Sequence, residues 1–215
     1  MFEPIDAYCE RLDPSYWSEP INALTNIAFI IAAIFMWRGA QGQRMARILC
    51  AILFAIGCGS YLFHTHATGW AALADVVPIG VFILFYLFLV HRDILGWSLP
   101  VAVIAMLLFV PFALVSTSAL NQIPLLRISA FYWTVPILLF VYAAVLQRQL
   151  PEVAKGFAIG GAILALSICL RSLDLIVCPA FPIGTHFAWH CLNAVMLAWM
   201  IHVYVRAMAR ARSKL

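Results

Sequence analysis

Two short stretches of this chain combine residue types that can hold a metal ion and activate water. The first is SYLFHTHATGWAALAD, from Ser60 to Asp75, which supplies a hydroxyl, an imidazole and a carboxylate. Ser60 and His64 are four residues apart, so one face of a helix presents both side chains. The second stretch is HFAWH, from His186 to His190, whose two imidazoles are also one helical turn apart.

The three imidazoles predict a zinc site. His64, His186 and His190 would supply three nitrogen ligands and leave the fourth tetrahedral position open, as in catalytic zinc sites. Water on such an ion has a pKa of about 7 and is a nucleophile at neutral pH. Histidines in a helical bundle are alternatively ordinary hydrogen-bonded packing residues or axial ligands of haem. A hydroxyl and a carboxylate beside the metal argue against haem.

The composition excludes an ordinary soluble protein. The chain has 215 residues, of which 65% are hydrophobic and 10% are charged. Soluble domains are about 45–50% apolar and about 25% charged, so this chain is expected to be an integral membrane protein. Its net charge of +4 gives no reason to expect nucleic-acid binding, because the charges must lie in loops and tails.

Seven apolar runs are long enough to cross a bilayer as helices, which takes about 20 residues each. The predicted spans are 21–38, 44–64, 71–91, 98–116, 128–147, 154–172 and 184–207. The connections are short, so we expect one all-α bundle of seven transmembrane helices. Gly156, Gly160 and Gly161 predict close packing of the sixth helix. Polar groups that gather at one depth of such a bundle indicate a functional site.

The basic residues predict the orientation of the bundle. Three of them, Arg11, Arg127 and Arg171, fall on the side of the N-terminus. The ten on the other side are Arg38, Arg44, Arg47, Arg92, Arg148, Lys155, Arg206, Arg210, Arg212 and Lys214. The positive-inside rule then places the N-terminus outside and the C-terminus in the cytoplasm. We expect an acidic N-terminal segment (1–20), a membrane domain (21–207) and a basic cytoplasmic tail (208–215), with the polar stretches towards the non-cytoplasmic side.

These motifs resemble the alkaline ceramidase family within the CREST superfamily of membrane hydrolases. The resemblance rests on Ser60-x3-His64, on Asp75 eleven residues further on, and on His186-x3-His190 in the seventh helix. The opening YCERLDPSYWSEPINALTN and the closing RSLD and GTHFAWHCLNA are also similar to the family. The Ser, His and Asp set is shared across the superfamily, including adiponectin receptors, so the N-terminal segment is what indicates the ceramidase branch.

The resemblance implies a zinc-dependent amidase that cleaves the N-acyl bond of ceramide or a related lipid into a fatty acid and a sphingoid base. His64, His186 and His190 would be the zinc ligands. Asp75 would deprotonate the attacking water and return a proton to the leaving amine. Ser60 would stabilise the oxyanion. Trp189 would contact the substrate head group, although a tryptophan at this depth is alternatively an interfacial anchor.

The acidic N-terminal segment is a candidate calcium site. Asp6, Glu10, Asp13 and Glu19 lie within fourteen residues, and hard oxygen ligands at irregular spacing suit Ca²⁺. A solvated acidic tail is the alternative. The resemblance favours calcium held by Asp6, Glu10 and Glu19, but Leu12 stands where the family has an asparagine ligand.

Two further pairs are expected near this segment. Cys9 and Cys178 both fall on the non-cytoplasmic side, where disulfides persist. The resemblance implies a bridge between them, and two unpaired loop thiols are the alternative. Arg171 and Asp174 are three residues apart at the end of the sixth helix, and we expect them to form an ion pair.

The leading hypothesis is therefore an intramembrane zinc amidohydrolase, in a bacterial cytoplasmic membrane, that takes a ceramide-like lipid from the bilayer. A zinc hydrolase of lipid esters, of the phospholipase type, is the nearest rival. A receptor-like bundle in which zinc only ties helices together is the non-enzymatic alternative. A purely structural site would close its fourth position with protein, so Ser60 and Asp75 favour catalysis. No obligate protein partner is evident.

Overall fold

The computed structural model describes residues 1–124 and 126–213. Within these residues, seven helices are long and apolar enough to cross a membrane. They are α1 (Pro20–Gly39), α2 (Arg44–His66), α3 (Gly69–Ile94), α4 (Leu99–Leu120), α5 (Arg127–Leu146), α6 (Pro151–Val177) and α7 (His186–Arg212). The predicted all-α fold with seven membrane-length helices is confirmed. Lys214 and the end of the predicted tail 208–215 lie outside the described residues.

Several helices are longer than the apolar runs that predicted them. The helix α6 was expected at 154–172 and covers Pro151–Val177, and α7 was expected at 184–207 and covers His186–Arg212. A helix of 27 residues is about 40 Å long, whereas the hydrocarbon core of a bilayer is about 30 Å thick. Hydropathy marks only the part of a helix that crosses hydrocarbon, so it cannot show where the helical backbone ends.

The helix α1 is interrupted at Asn26, between helical segments Pro20–Thr25 and Ile27–Gly39. The side chain of Asn26 donates to the carbonyl of Asn22 at 2.8 Å and to that of Ala23 at 3.4 Å. A side chain that competes for backbone carbonyls in this way weakens the regular helical pattern. The interruption places Thr25 beside the seventh helix, where it contacts His190.

The helices form a closed ring in which each packs against its neighbours in sequence and α7 returns to α1. Glycines on α6 permit this packing, as the sequence predicted. A Cβ atom at Gly156 would lie 2.6 Å from a methyl group of Val203 on α7, and one at Gly161 would lie 3.1 Å from the ring of Phe140 on α5. These two faces of α6 therefore need residues without a side chain.

The N-terminal segment, residues 1–19, folds over the end of the bundle where α2 ends and α7 begins. Its Ile5 amide donates to the carbonyl of Ala67, in the turn between α2 and α3, at 2.7 Å. A disulfide joins Cys9 to Cys178, directly after α6. The segment is thus fixed at two separate points, the turn after α2 and the residue directly after α6, at the end of the bundle where the two motifs lie.

Candidate metal centre

Three buried histidines meet beneath the N-terminal segment. His64 comes from the last turn of α2, while His186 and His190 come from the first two turns of α7. Their ring centroids are 4.6–5.0 Å apart, and one possible ligand atom from each lies within 4.8 Å of the other two. Among the residues that the structure describes, this is the one group of three His, Cys, Asp or Glu side chains that is arranged to hold a metal ion.

The nitrogen atoms of this cluster fit a metal ion. His64 Nε2, His186 Nδ1 and His190 Nε2 are all buried, and none of them has a hydrogen-bond partner among the described residues. A buried polar atom without a partner costs about 1–3 kcal/mol, so three such atoms that converge on one point indicate a binding site for a cation. Three imidazole nitrogens with one free position are the donor set of catalytic zinc. The residues present therefore fit zinc.

The other nitrogen of two of these rings is held by a polar side chain. His64 Nδ1 lies 2.6 Å from Glu19 Oε2, and His190 Nδ1 lies 2.9 Å from Thr25 Oγ1. Such partners fix the tautomer and the orientation of a metal-binding imidazole. The sequence analysis assigned Glu19 to the calcium site and did not single out Thr25, because neither residue is near a histidine along the chain.

Glu19 is a buried carboxylate that links the N-terminal segment to the cluster. Its Oε1 accepts a hydrogen bond from Arg11 Nε at 2.5 Å, and its Oε2 also accepts one from Asn22 Nδ2 at 3.1 Å. Burial alone raises the pKa of Glu19, but the hydrogen bonds from His64 and Arg11 outweigh it. The pKa of Glu19 lies below its ordinary value, and the residue is an anion at neutral pH.

His186 is positioned by contacts of a different kind. The ring of Tyr8 stacks on it with centroids 3.6 Å apart. Its backbone amide donates to Asp174 Oδ1 at 2.9 Å, and the amide of Thr185 donates to the same oxygen at 2.7 Å. Asp174 thus binds the first amides of α7, where a negative charge is favourable.

The predicted ion pair between Arg171 and Asp174 is wrong. Besides the amides of α7, Asp174 accepts a hydrogen bond from the amide of Cys9 at 2.9 Å. Arg171 turns the other way and donates to Ser129 Oγ at 2.9 Å and to the hydroxyl of Tyr8 at 3.4 Å. Tertiary partners on α7, α5 and the N-terminal segment outweigh the proximity of the two residues on one helix.

Ser60 and Asp75 lie on the facing sides of α2 and α3. The two helices touch at Gly59, where a Cβ atom would lie 1.9 Å from the carbonyl oxygen of Ala74 and 3.2 Å from the amide nitrogen of Asp75. Across this close approach, the side chains of Ser60 and Asp75 line one cavity. The sequence analysis missed Gly59, although a glycine directly before Ser60 was the available signal.

A cavity extends from the cluster into the apolar interior of the bundle. Its polar end is lined by Ser60, Asp75, His186, His190, Tyr8 and Arg171. Its apolar part is lined mainly by residues of α3 to α7, among them Phe82, Leu87, Phe109, Leu138, Met196 and Met200. The arrangement can hold a lipid chain among hydrocarbon side chains, with the polar end of the lipid against the histidines.

Trp189 belongs to the wall of this cavity. Its side chain is buried, and its ring packs edge-on against Tyr132 with centroids 5.0 Å apart. The alternative role of an anchor at the membrane surface is therefore wrong. Trp189 and Arg171 line the same cavity, and the Arg171 guanidinium carbon is 5.8 Å from the centre of the Trp189 ring.

The structure gives no support to the predicted calcium site. Asp6 is exposed, while Glu10 accepts hydrogen bonds from the amides of Ile21 and Asn22 at the start of α1, at 2.7 and 2.8 Å. Glu19 is bound to Arg11 and His64. Within the described part of the chain, Asp6, Glu10 and Glu19 do not form a group with metal-binding spacing. The carboxylates of Glu10 and Glu19 are instead satisfied by donors of the segment, α1 and α2.

Fold and site together define a class: a multi-pass membrane protein with three histidines at the head of an apolar cavity. The sequence matches the family model described as Ceramidase over residues 7–214, nearly the whole chain, and the protein therefore belongs to the Ceramidase family. No curated protein matches the sequence. Membership of this family indicates a hydrolase that is embedded in the membrane and acts on a lipid.

Proposed function

We propose that the protein is a zinc-dependent amidohydrolase that cleaves the N-acyl bond of ceramide or a related lipid. The observation that carries the proposal is the set of three unpartnered histidine nitrogens at the head of an apolar cavity. His64, His186 and His190 would hold the zinc ion. When bound, zinc would supply a Lewis acid and lower the pKa of water to about 7.

The remaining residues of the polar end have separate roles in this proposal. Asp75 accepts the proton of the attacking water and later returns it to the leaving amine. Ser60 donates a hydrogen bond to the oxygen of the scissile carbonyl as negative charge develops there. Glu19 and Thr25 keep the rings of His64 and His190 in place. The apolar part of the cavity excludes water from the acyl chain.

We also propose that the head group of the lipid lies against Trp189, and that the cluster faces the non-cytoplasmic side. The ten-to-three distribution of basic residues supports this orientation. The disulfide between Cys9 and Cys178 supports it too, because disulfides persist in oxidising compartments. The regions 1–20, 21–207 and 208–215 then correspond to an outer segment, a membrane domain and a cytoplasmic tail. Short loops suit a bacterial cytoplasmic membrane.

The decisive experiment separates metal binding from catalysis. Protein purified in detergent should contain about one zinc ion per chain by elemental analysis and release fatty acid from ceramide. Asp75→Asn should retain the zinc and lose the hydrolysis, since Asp75 is not among the three ligands. Unchanged turnover of Asp75→Asn would remove this residue from the mechanism. Cleavage of phospholipid esters in place of ceramide would replace the amidase with the lipid-ester hydrolase.

A further inference from the structure

We infer that Arg11 is a built-in cation of the N-terminal segment, which replaces a bound metal there and orients the ring of His64 through Glu19. Arg11 is a buried residue, although it lies in a segment outside the membrane-length helices. Its effect on zinc affinity rests on the proposed zinc site. The inference that Arg11 replaces calcium does not rest on the zinc site. The effect on zinc affinity and the replacement of calcium can therefore be tested separately.

The guanidinium of Arg11 is surrounded by oxygen atoms from three parts of the chain. Its Nε donates to Glu19 Oε1 at 2.5 Å, and its Nη2 donates to the backbone carbonyl of His64 at 3.1 Å. Its Nη1 contacts the carbonyls of Asp13 and Ser15 at 3.1 and 3.5 Å. Carboxylate and carbonyl oxygens are the ligands of a hard cation such as Ca²⁺. Here a guanidinium occupies the centre of that oxygen set.

Charge balance argues against calcium in addition to Arg11. The guanidinium neutralises Glu19, and a divalent cation beside it would be repelled. Leu12, which stands where the family has an asparagine ligand, is 90% exposed and offers no oxygen from its side chain. Glu10 is engaged with the first amides of α1. We therefore expect the protein to fold and function without calcium.

Arg11 also connects the segment to the metal cluster. It binds the backbone carbonyl of His64 and, through Glu19, the Nδ1 atom of the same histidine. Both the main chain and the ring of His64 are thereby held by one unit, and Nε2 is left for the cluster. Without Arg11, Glu19 would be a buried carboxylate without its cation and would no longer hold the imidazole firmly. Losing such outer partners typically weakens metal binding about 10- to 100-fold.

The first test compares zinc affinity among arginine variants, by competition with a coloured chelator. Arg11→Gln should bind zinc about 10- to 100-fold more weakly than the unmodified protein. Arg11→Lys keeps the charge but not the planar fork, so its affinity should fall in between. Arg127→Gln, at an exposed arginine, is the matched control and should be unchanged. Equal zinc affinity of Arg11→Gln and the unmodified protein would overturn the positioning role.

The second test needs no variant. The melting temperature of the purified protein in calcium-free buffer should not change when CaCl₂ is added, with MgCl₂ as the control for ionic strength. A ligand that binds the folded state raises the melting temperature, so a rise specific to calcium would overturn the inference. Absence of zinc from the purified protein would instead contradict the proposed function. The calcium test would still show whether a calcium ion binds the protein in spite of Arg11.

A separate observation concerns the substrate. We propose that Arg171 binds an acidic group on the amine side of the lipid amide, so that N-acyl lipids with a carboxylate beside the amide are preferred to neutral ones. This proposal rests on the proposed amidase function. Arg171 lines the polar end of the cavity together with Asp75 and His186.

Among the described residues, Arg171 has aromatic and neutral partners but no carboxylate in direct contact, and the acidic group of Asp75 lines the same end of the cavity. Its guanidinium carbon lies 4.9 Å from the ring centre of Tyr132, 5.8 Å from that of Trp189 and 5.9 Å from that of Tyr8. Among the described residues, no carboxylate oxygen lies within 4.0 Å of its nitrogens. A cation at membrane depth is costly and marks a functional position. A planar guanidinium is suited to binding a carboxylate through two hydrogen bonds.

The test uses two amides that differ only in charge, N-palmitoylglycine and N-palmitoylethanolamine. The unmodified protein should have the higher kcat/KM on N-palmitoylglycine. Arg171→Gln should lose about 10- to 100-fold more kcat/KM on this acid than on the neutral amide, mainly through KM. An equal loss on both amides would show that Arg171 only supports the structure, and a preference of the unmodified protein for the neutral amide would also overturn the proposal. Failure to cleave either amide or ceramide would contradict the amidase function itself.

Discussion

The histidine cluster and the N-terminal segment lie at the same end of the bundle but satisfy their polar groups in opposite ways. In the cluster, one nitrogen on each of three buried rings has no partner. In the segment, the carboxylates of Glu10 and Glu19 accept hydrogen bonds from backbone amides, Arg11 and His64. Buried polar groups are normally paired, so the cluster is suited to binding an ion from outside, whereas in the segment the guanidinium of Arg11 is the cation.

A buried histidine elsewhere in the bundle shows why the number of unpartnered atoms matters. His91 Nδ1 is also buried without a partner, but its Nε2 is 2.6 Å from the hydroxyl of Tyr142 and its ring stacks on Trp97. It does not belong to a metal-binding group within the described residues. A single unpartnered nitrogen is therefore weak support for a metal, and convergence of several is what distinguishes the cluster.

The largest expected effect comes from removing one member of the cluster. His190→Ala should lose zinc and reduce hydrolysis to background, because two imidazoles are too few for a site with an open position. Elemental analysis and fatty-acid release measure the two effects. His202→Ala changes an exposed histidine on the same helix and is the control. Zinc bound normally by His190→Ala would place the metal elsewhere.

Ser60→Ala should have the next largest effect. Loss of one donor to a developing oxyanion typically lowers kcat about 10²- to 10³-fold. Zinc content should stay the same, because Ser60 is outside the group of three histidines that would hold the ion. Ser118→Ala removes an exposed hydroxyl from α4 and should have no effect. A fall in zinc content together with kcat would mean that Ser60 supports the metal and not the transition state.

The sequence predicted the seven helices and the three histidines because both follow from local signals. Long apolar runs mark membrane helices, and a four-residue spacing places two histidines on one helix face. The contacts of Glu19 with Arg11 and His64 could not be predicted in this way. They depend on how residues 1–19 fold back over the bundle, and no spacing along the chain encodes that path. For the same reason Arg171 and Asp174, neighbours on α6, were wrongly paired.

Gly59→Ala should have a smaller effect that reports on how the two sides of the site are held together. Its Cβ atom would lie 1.9 Å from the carbonyl oxygen of Ala74, so α2 and α3 must move apart. Overpacking of this kind costs about 1–3 kcal/mol of folding free energy. Turnover should fall as well, since Ser60 and Asp75 separate.

Gly80→Ala on α3 is the matched control for this variant. A Cβ atom there would meet no other atom within 4 Å, so the change should have almost no effect on stability or turnover. Thermal unfolding and fatty-acid release measure both variants. Equal behaviour of Gly59→Ala and Gly80→Ala would mean that the contact between α2 and α3 is not what brings Ser60 and Asp75 together.

The smallest effects are expected in the N-terminal segment, where they test whether its carboxylates bind protein donors or a calcium ion. Glu10→Gln should cost about 1 kcal/mol, the usual contribution of a side chain that binds the first amides of a helix. Asp6→Asn changes an exposed side chain and should stay within about 0.5 kcal/mol of the unmodified protein. If Asp6 and Glu10 instead shared a calcium ion, both variants would lose stability to a similar extent, and the loss would disappear in calcium-free buffer. Melting temperatures with and without CaCl₂ therefore distinguish a helix cap at Glu10 from a metal ligand.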